Sequence, residues 1–208
     1  MRWQIQSFEV LDSTQNHLRA HALTLPEGFV VCAAQQTQGH GREGRAWFSQ
    51  PGGLYFSCLL KPAQILPLLP WVLLLAVCQS LEELSGLTLT LKWPNDLLLG
   101  GQKLAGMLID AQIQGNLPRY YVCGVGVNLN QTAFPADLAA TSLHVQTGLF
   151  FSPEVICEKI LDRLAWEYEL LCLGPEKWLE TKQSEQNRAI QIGYNTQEIK
   201  TLGDFLND

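Results

Sequence analysis

The sequence predicts an α/β domain, of the α+β type, in which strands and helices are mixed along the chain. Apolar runs of strand length, bounded by glycine, proline and polar residues, lie at 3–10, 29–34, 54–60, 87–93, 103–113 and 119–127. Helical stretches stand between and after them, at 15–25, 68–84 and from Ser152 onward. A length of 208 residues with 47% hydrophobic content suffices for one sizeable domain with a small appendage.

In order, residues 3–10 form a strand, and Asp12-Ser13-Thr14 supplies capping oxygens for a helix over Gln15–Leu25 that Pro26 closes. Its N-terminus, with the hydroxyls of Ser13 and Thr14, can cap the helix or meet a polar ligand group. Phe29–Ala34 and Leu54–Leu60 are strands on either side of a glycine-rich loop. The apolar run from Ile65 to Val77 is too short to span a bilayer and contains Pro67 and Pro70, so it belongs to a buried helix ending at Gly86. A strand over Leu87–Trp93 leads into Lys92-Trp93-Pro94-Asn95-Asp96, a short run Leu97–Leu99, a Gly100-Gly101 hairpin turn and a strand over 103–113. The strand 119–127 carries Gly124 and Gly126, where a flat ligand could lie against the backbone. Residues 137–147 suggest a short helix, and Ser152-Pro153 starts a longer one that Gly174-Pro175 ends. Residues 176–182 read as helical, and the tail 188–208 has room for two short strands.

A formal net charge of −6 and the lack of a basic stripe argue against general nucleic-acid binding. Six cysteines, without a C-x-x-C pair and mostly inside apolar runs, read as buried thiols of a reducing compartment. With no apolar N-terminal segment of signal-peptide length, the expected location is the cytoplasm.

The stretch Gln36–Ser57 most needs a functional explanation. Glycines at 39, 41 and 44 let the backbone adopt positive φ and approach a ligand closely, and Arg42 and Arg45 add fixed positive charge suited to an anion. The spacing satisfies G-x-G-x-x-G, but Ser49-Gln50-Pro51-Gly52-Gly53 breaks the helix that a dinucleotide site requires. Taken alone, the loop is equally compatible with a mobile segment whose arginines are merely solvated.

Residues elsewhere decide between these readings. Asp12-Ser13-Thr14, the Gly39–Trp47 loop, Lys92-Trp93-Pro94-Asn95-Asp96, Gln102-Lys103-Leu104-Ala105-Gly106 and Gly124-Val125-Gly126-Val127-Asn128 occur in this order, and together resemble the biotin protein ligases. The resemblance spans about residues 10–170. It implies a central mixed β-sheet flanked by helices, of the class II synthetase-like biotin/lipoate ligase type. It also implies a catalytic domain over 1–184 and a shortened C-terminal segment over 185–208. The expected form is the short one, without an N-terminal DNA-binding domain, so that DNA is not an expected partner; nor, from the short apolar run, is a membrane.

By the same resemblance, biotin is activated with ATP and Mg²⁺ to biotinyl-5′-AMP and passed to a lysine of a biotin carboxyl carrier protein. A carboxylate attacking a phosphate brings two anions together, so cations are needed where charge builds up. Lys103 and Arg42 are the expected catalytic residues. The implied biotin side is Ser13, Thr14, Gln15, Gln36, Gly39, His40, Gly41, Arg42, Trp47, Lys103 and Gly106, with Ser13, Thr14 and Gln36 on the ureido ring. The implied ATP side is Arg42, Arg45, Lys103, Gly124, Gly126 and Asn128, and Asp96 is the implied Mg²⁺ ligand, with Asn95 beside it.

Three departures stand out. His40 replaces the family's usual Arg and carries charge only when protonated. Gln15 replaces the usual Asn after Ser-Thr, and the C-terminal small barrel is cut to 185–208. The alternatives are a lipoate or octanoyl ligase of the same fold, whose R-R-x-S-G-G-G signature has no counterpart here, and a non-catalytic biotin-binding module.

Overall fold

The computed structural model describes residues 1–182. The expected boundary at 184, the segment 185–208 and its two strands therefore lie outside the described residues. Seven strands form one sheet: β1 (Gln4–Leu11), β2 (Phe29–Gln36), β3 (Leu54–Leu60), β4 (Thr90–Lys92), β5 (Asp96–Leu99), β6 (Gln102–Gln114) and β7 (Leu117–Val127). Their spatial order is β1-β2-β3-β7-β6-β5-β4. The pair β1 and β2 is parallel and every other pair antiparallel, so the sheet is mixed, as expected. The parallel pair needs a crossover, which α1 (Thr14–His21) supplies.

The two faces of the sheet are covered unequally. Helices α2 (Leu69–Ser85) and α4 (Pro153–Leu173) pack on one face over the main core, which includes Phe56, Cys58, Leu73, Val77, Cys123, Ile160 and Leu164. On the other face α1 covers only part of the sheet, closing a small core of Leu18, Ala22, Phe29, Val31, Leu59, Tyr120 and Val122. Alternate strand residues share a face, so Ser57 falls beside Leu59, and Gly124 and Gly126 beside Val122, on the side α1 leaves uncovered. Gly106 and Leu108 of β6 pair with Gly126 and Gly124 and join them. Glycine floors this end of the sheet.

Several boundaries differ from expectation for identifiable reasons. Helix α1 ends at His21 rather than Leu25, where the chain tightens: the Ala22 amide turns to the Arg19 carbonyl and the Thr24 amide to the His21 carbonyl, each three residues back. The strand expected over 87–93 is reduced to β4. Ahead of it, Leu87 N–H donates to Ser85 Oγ and Leu89 N–H to Glu82 Oε1, so these amides are satisfied by α2 and not by a ladder. The ambiguous 137–147 region resolves into α3 (Leu143–Thr147), capped by Ser142. Residues 175–182 are helical and are tied to α4 by buried Glu167, which accepts from Trp178 Nε1 at 2.6 Å and pairs with Lys182 Nζ at 2.5 Å. Of the six cysteines, none is disulfide-bonded, and Cys172 is exposed, contrary to the reading of all six as buried.

Candidate active site

Polar residues at the start of α1, on β2 and on β3 meet above the glycine floor. Ser13 caps the helix, its Oγ accepting from Asn16 N–H. The Thr14 amide donates to Gln36 Oε1 at 2.8 Å, and its hydroxyl lies 3.0 Å from Ser57 Oγ. Ser57 donates to Gln15 Oε1 at 2.9 Å, while Gln15 Nε2 donates to the Val122 carbonyl at 3.0 Å. The side chains of this group belong to buried or half-buried residues, where an unpaired amide or hydroxyl is costly. Gln15 occupies the space over Gly124, where an added Cβ would lie 2.5 Å from Gln15 Oε1.

The glycine-rich loop closes over this group. Trp47 N–H donates to the Gly39 carbonyl and Gly41 N–H to the Arg45 carbonyl, both at 2.8 Å, so the segment folds back as a narrow hairpin. It contains one 3₁₀ turn, Arg42–Gly44, and no α-helix, in agreement with setting the dinucleotide motif aside. The three glycines use their freedom differently. Gly44 takes positive φ, at 70°, together with Glu43 at 58°, whereas Gly39 and Gly41 do not. Gly39 is required for space instead, because a Cβ there would lie 2.3 Å from Ser49 Oγ.

Trp47 returns the loop to the sheet. Its indole lies against the paired glycines, with Cβ positions at Gly106 and Gly126 only 2.9 and 2.6 Å from ring atoms. Lys103 Nζ sits 5.1 Å from the ring centroid, within cation–π range. The Trp47 Nε1 group is buried with no hydrogen-bond partner.

Charge collects at the opposite end. Lys103 follows the Gly100-Gly101 turn, whose φ angles of 58° and 79° fit a tight hairpin. Its Nζ lies 2.8 Å from Asp96 Oδ1, which also accepts from Asn95 Nδ2 at 3.3 Å. Arg42 Nη1 donates across to Asn95 Oδ1 at 3.4 Å, and Arg45 pairs with Glu43 at 2.5 Å within the loop. Arg45 thus spends part of its charge locally.

These parts line one cavity of about 150 Å³. Of the expected residues, Ser13, Thr14, Gln15, Gln36, His40, Gly41, Arg42, Arg45, Trp47, Asp96, Lys103, Gly106, Gly124 and Gly126 line it. Gly39 and Asn128 do not. Gly39 packs at the loop stem, and buried Asn128 donates from Nδ2 to the Lys103 carbonyl at 3.3 Å, so it supports the strand that carries the lysine. Ser57, Glu43 and Leu108 also line the cavity and were not expected. Ser57 was detectable as the one serine within the otherwise apolar and aromatic run Leu-Tyr-Phe-Ser-Cys-Leu-Leu.

With this geometry, the chain belongs to the biotin/lipoate A/B protein ligase family, whose model matches residues 7–128. Among its relatives, the bifunctional ligase/repressor BirA of Bacillus subtilis is 40% identical over 208 residues, covering 95% of this chain and 63% of BirA. The chain thus spans somewhat less than two thirds of that relative. The biotin–[acetyl-CoA-carboxylase] ligase of Paracoccus denitrificans is 31% identical, covering 74% of this chain and 71% of its own length. The biotin protein ligase of Aquifex aeolicus, solved with biotin and ATP, superposes with a TM-score of 0.68 at 35% identity, covering 78% of this chain and 68% of the other.

Proposed function

We propose that this protein is a biotin–[acetyl-CoA-carboxylase] ligase working in two steps. A biotin carboxylate oxygen attacks the α-phosphorus of ATP, and the bond to pyrophosphate breaks to leave biotinyl-5′-AMP. A neutral lysine amine of a biotin carboxyl carrier protein then attacks the acyl carbon; the C–N bond forms, AMP departs and the amine loses a proton.

The observation that carries this reading is the polarity of the cavity from end to end. Hydroxyl and amide groups of Thr14, Gln15, Gln36 and Ser57 form one end, and Lys103 with Arg42 marks the other. A cyclic urea offers two N–H donors and a carbonyl acceptor to the first end. The dithiolane of lipoate offers no donor or acceptor to complement this polar end, which disfavours the alternative substrate. Lys103 and Arg42 face the place where the carboxylate meets the phosphate and negative charge accumulates. The Trp47 indole between the ends suits the apolar ring and tail, and the orphaned Nε1–H is a donor for a ligand oxygen. The ligand named for the Aquifex structure and the names of the curated relatives support the same assignment.

Asp96 is the residue that would hold Mg²⁺. Among the described residues no group of three or more His, Cys, Asp or Glu could hold a metal. One carboxylate is sufficient only for an ion that takes most of its ligands from phosphate and water, which is how Mg²⁺ is commonly bound. Asp96 lines the cavity, and both of its contacts fall on Oδ1. The ion's contribution when bound would be neutralisation of phosphate charge. Six unbridged thiols and the lack, among described residues, of a helix long and apolar enough to cross a membrane are compatible with work in the cytoplasm.

The test is pyrophosphate release on mixing the protein with biotin and MgATP, followed by label transfer to a carrier domain. Release with lipoate instead of biotin would identify the other branch of the family. No release with either, despite biotin binding, would make the protein a binding module.

A further inference from the structure

We infer that Ser49 is a positioning residue that joins the polar end of the cavity to the closed state of the glycine-rich loop. This rests on the biotin-ligase reading for its consequence, but its structural part stands apart from that reading. Ser49 does not line the cavity and is 3% exposed. Its hydroxyl accepts from Gln36 Nε2 at 2.9 Å and donates to the Trp47 carbonyl at 3.1 Å, and its own carbonyl accepts from Gln36 N–H at 3.1 Å. One oxygen atom thus ties the strand that enters the loop to the residue that leaves it. Gly39 closes the knot: a Cβ there would lie 2.3 Å from Ser49 Oγ, 2.9 Å from Gln36 Nε2 and 3.0 Å from the Trp47 carbonyl.

The other end of the same glutamine faces the ligand space. Gln36 Oε1 accepts the Thr14 amide at 2.8 Å, and the Thr14 hydroxyl leads on through Ser57 and Gln15 to the Val122 carbonyl. The Thr14 hydroxyl lies 3.2 Å from Gln36 Oε1 and 3.0 Å from Ser57 Oγ, so its one hydrogen is shared between them, while Ser57 donates to Gln15. Occupancy of the polar end therefore acts on Gln36 Oε1 while the loop stem depends on Gln36 Nε2. An amide is planar and rigid, so a ligand that fixes one end fixes the other. Through Ser49, that fixation sets Trp47, whose indole covers Gly106 and Gly126.

Ser49→Ala removes the oxygen and leaves Gln36 Nε2 and the Trp47 carbonyl without this partner. We expect the amides of Gly41 and Trp47 to lose hydrogen-exchange protection about five- to tenfold, and biotin to restore less protection than in the wild type. Escape of biotinyl-5′-AMP into solution should rise by about the same factor and thermal stability should fall modestly, while single-turnover adenylation at saturating biotin changes little. Gly39→Ala, which displaces the Ser49 hydroxyl without removing it, should reproduce the exchange pattern. Unchanged protection of Gly41 and Trp47 in Ser49→Ala would overturn the inference, whatever the activity. Loosened amides with wild-type retention of the adenylate would overturn its link to the reaction. A wild type that releases no pyrophosphate sinks the ligase reading, and the exchange experiment still decides the role of Ser49.

Discussion

Lys103 Nζ and Asp96 Oδ1 lie 2.8 Å apart inside the cavity, the lysine on β6 and the carboxylate at the start of β5. The pairing keeps the ammonium oriented before any anion arrives and gives the carboxylate a counter-ion before any metal does. It also separates the chemical role of Lys103 from its structural one. The backbone of Lys103, not its side chain, holds the neighbouring chain: its N–H donates to the Ala139 carbonyl, and its carbonyl accepts from Thr141 N–H and Asn128 Nδ2.

Lys103→Ala should consequently fold and lose adenylation rate by about two to three orders of magnitude, the scale of one electrostatic donor removed from a transition state. Rapid-quench measurement of adenylate formation, beside a thermal melt, checks both halves. A stable variant with near-native rate would place the reacting phosphate elsewhere.

Arg42 reaches from the loop tip to Asn95 beneath Asp96. Arg42→Gly should release that tether, and adenylate should escape before transfer, raising the ratio of free to transferred product by roughly fivefold or more. The measurement is biotinyl-5′-AMP in solution against biotin on the carrier. Weaker biotin binding without extra release would contradict the tethering role.

Gly126→Ala adds a Cβ 2.6 Å from the Trp47 indole in a strand with no positive-φ demand at that position. The ring must shift, and the cost of overpacking should appear as biotin affinity weakened by roughly one to two orders of magnitude. Calorimetric titration against wild type reads it directly. Equal affinities would mean that Trp47 does not shape the ligand space.

Glu83 clasps α2 to α4, one carboxylate oxygen on Lys159 Nζ at 2.6 Å and the other on Arg163 Nη2 at 2.7 Å. The hydrogen bond from Lys159 holds its carboxyl below the usual carboxylate range against the opposing effect of burial, and the charge of Lys159 and the hydrogen bond and charge of Arg163 add to the lowering. A depressed carboxyl stabilises the fold above its unfolded pKa and ceases to do so as pH falls through the folded value. Glu83→Gln should therefore melt slightly below wild type at neutral pH, with the gap closing as acid protonates Glu83. An exposed clasp predicts a small gap. A gap that is constant with pH would assign the effect to packing.

Much of the site was legible because its residues sit in short contiguous motifs. The cap at Ser13, the hairpin turn before Lys103 and the alternating glycines of β7 each follow from local rules of backbone geometry, and each stands where the spacing places it. Local rules were less reliable where side chains competed with the sheet for backbone amides. Leu87 and Leu89 have strand composition but give their amides to the side chains of Ser85 and Glu82 on α2.

By itself the sequence determined which residue types are present for the chemistry and the order in which they occur. Those are properties of contiguous stretches, and their physics is local. Only the tertiary structure decided what each one faces. Asn128 lies in a motif with Gly124 and Gly126, yet strand alternation and the Lys103 carbonyl turn its amide into a support for β6. Ser49 carries no motif of its own, yet packing of Gly39 against its hydroxyl places it at the stem of the loop. Charge follows the same division: Arg45 and Lys103 are both cations in the sequence, but folding gives one a carboxylate of its own loop and the other a carboxylate across the cavity. The contacts of Asn128 with Lys103 and of Ser49 with Gln36 join segments distant along the chain, at the cost of ordering both, and no local preference encodes them.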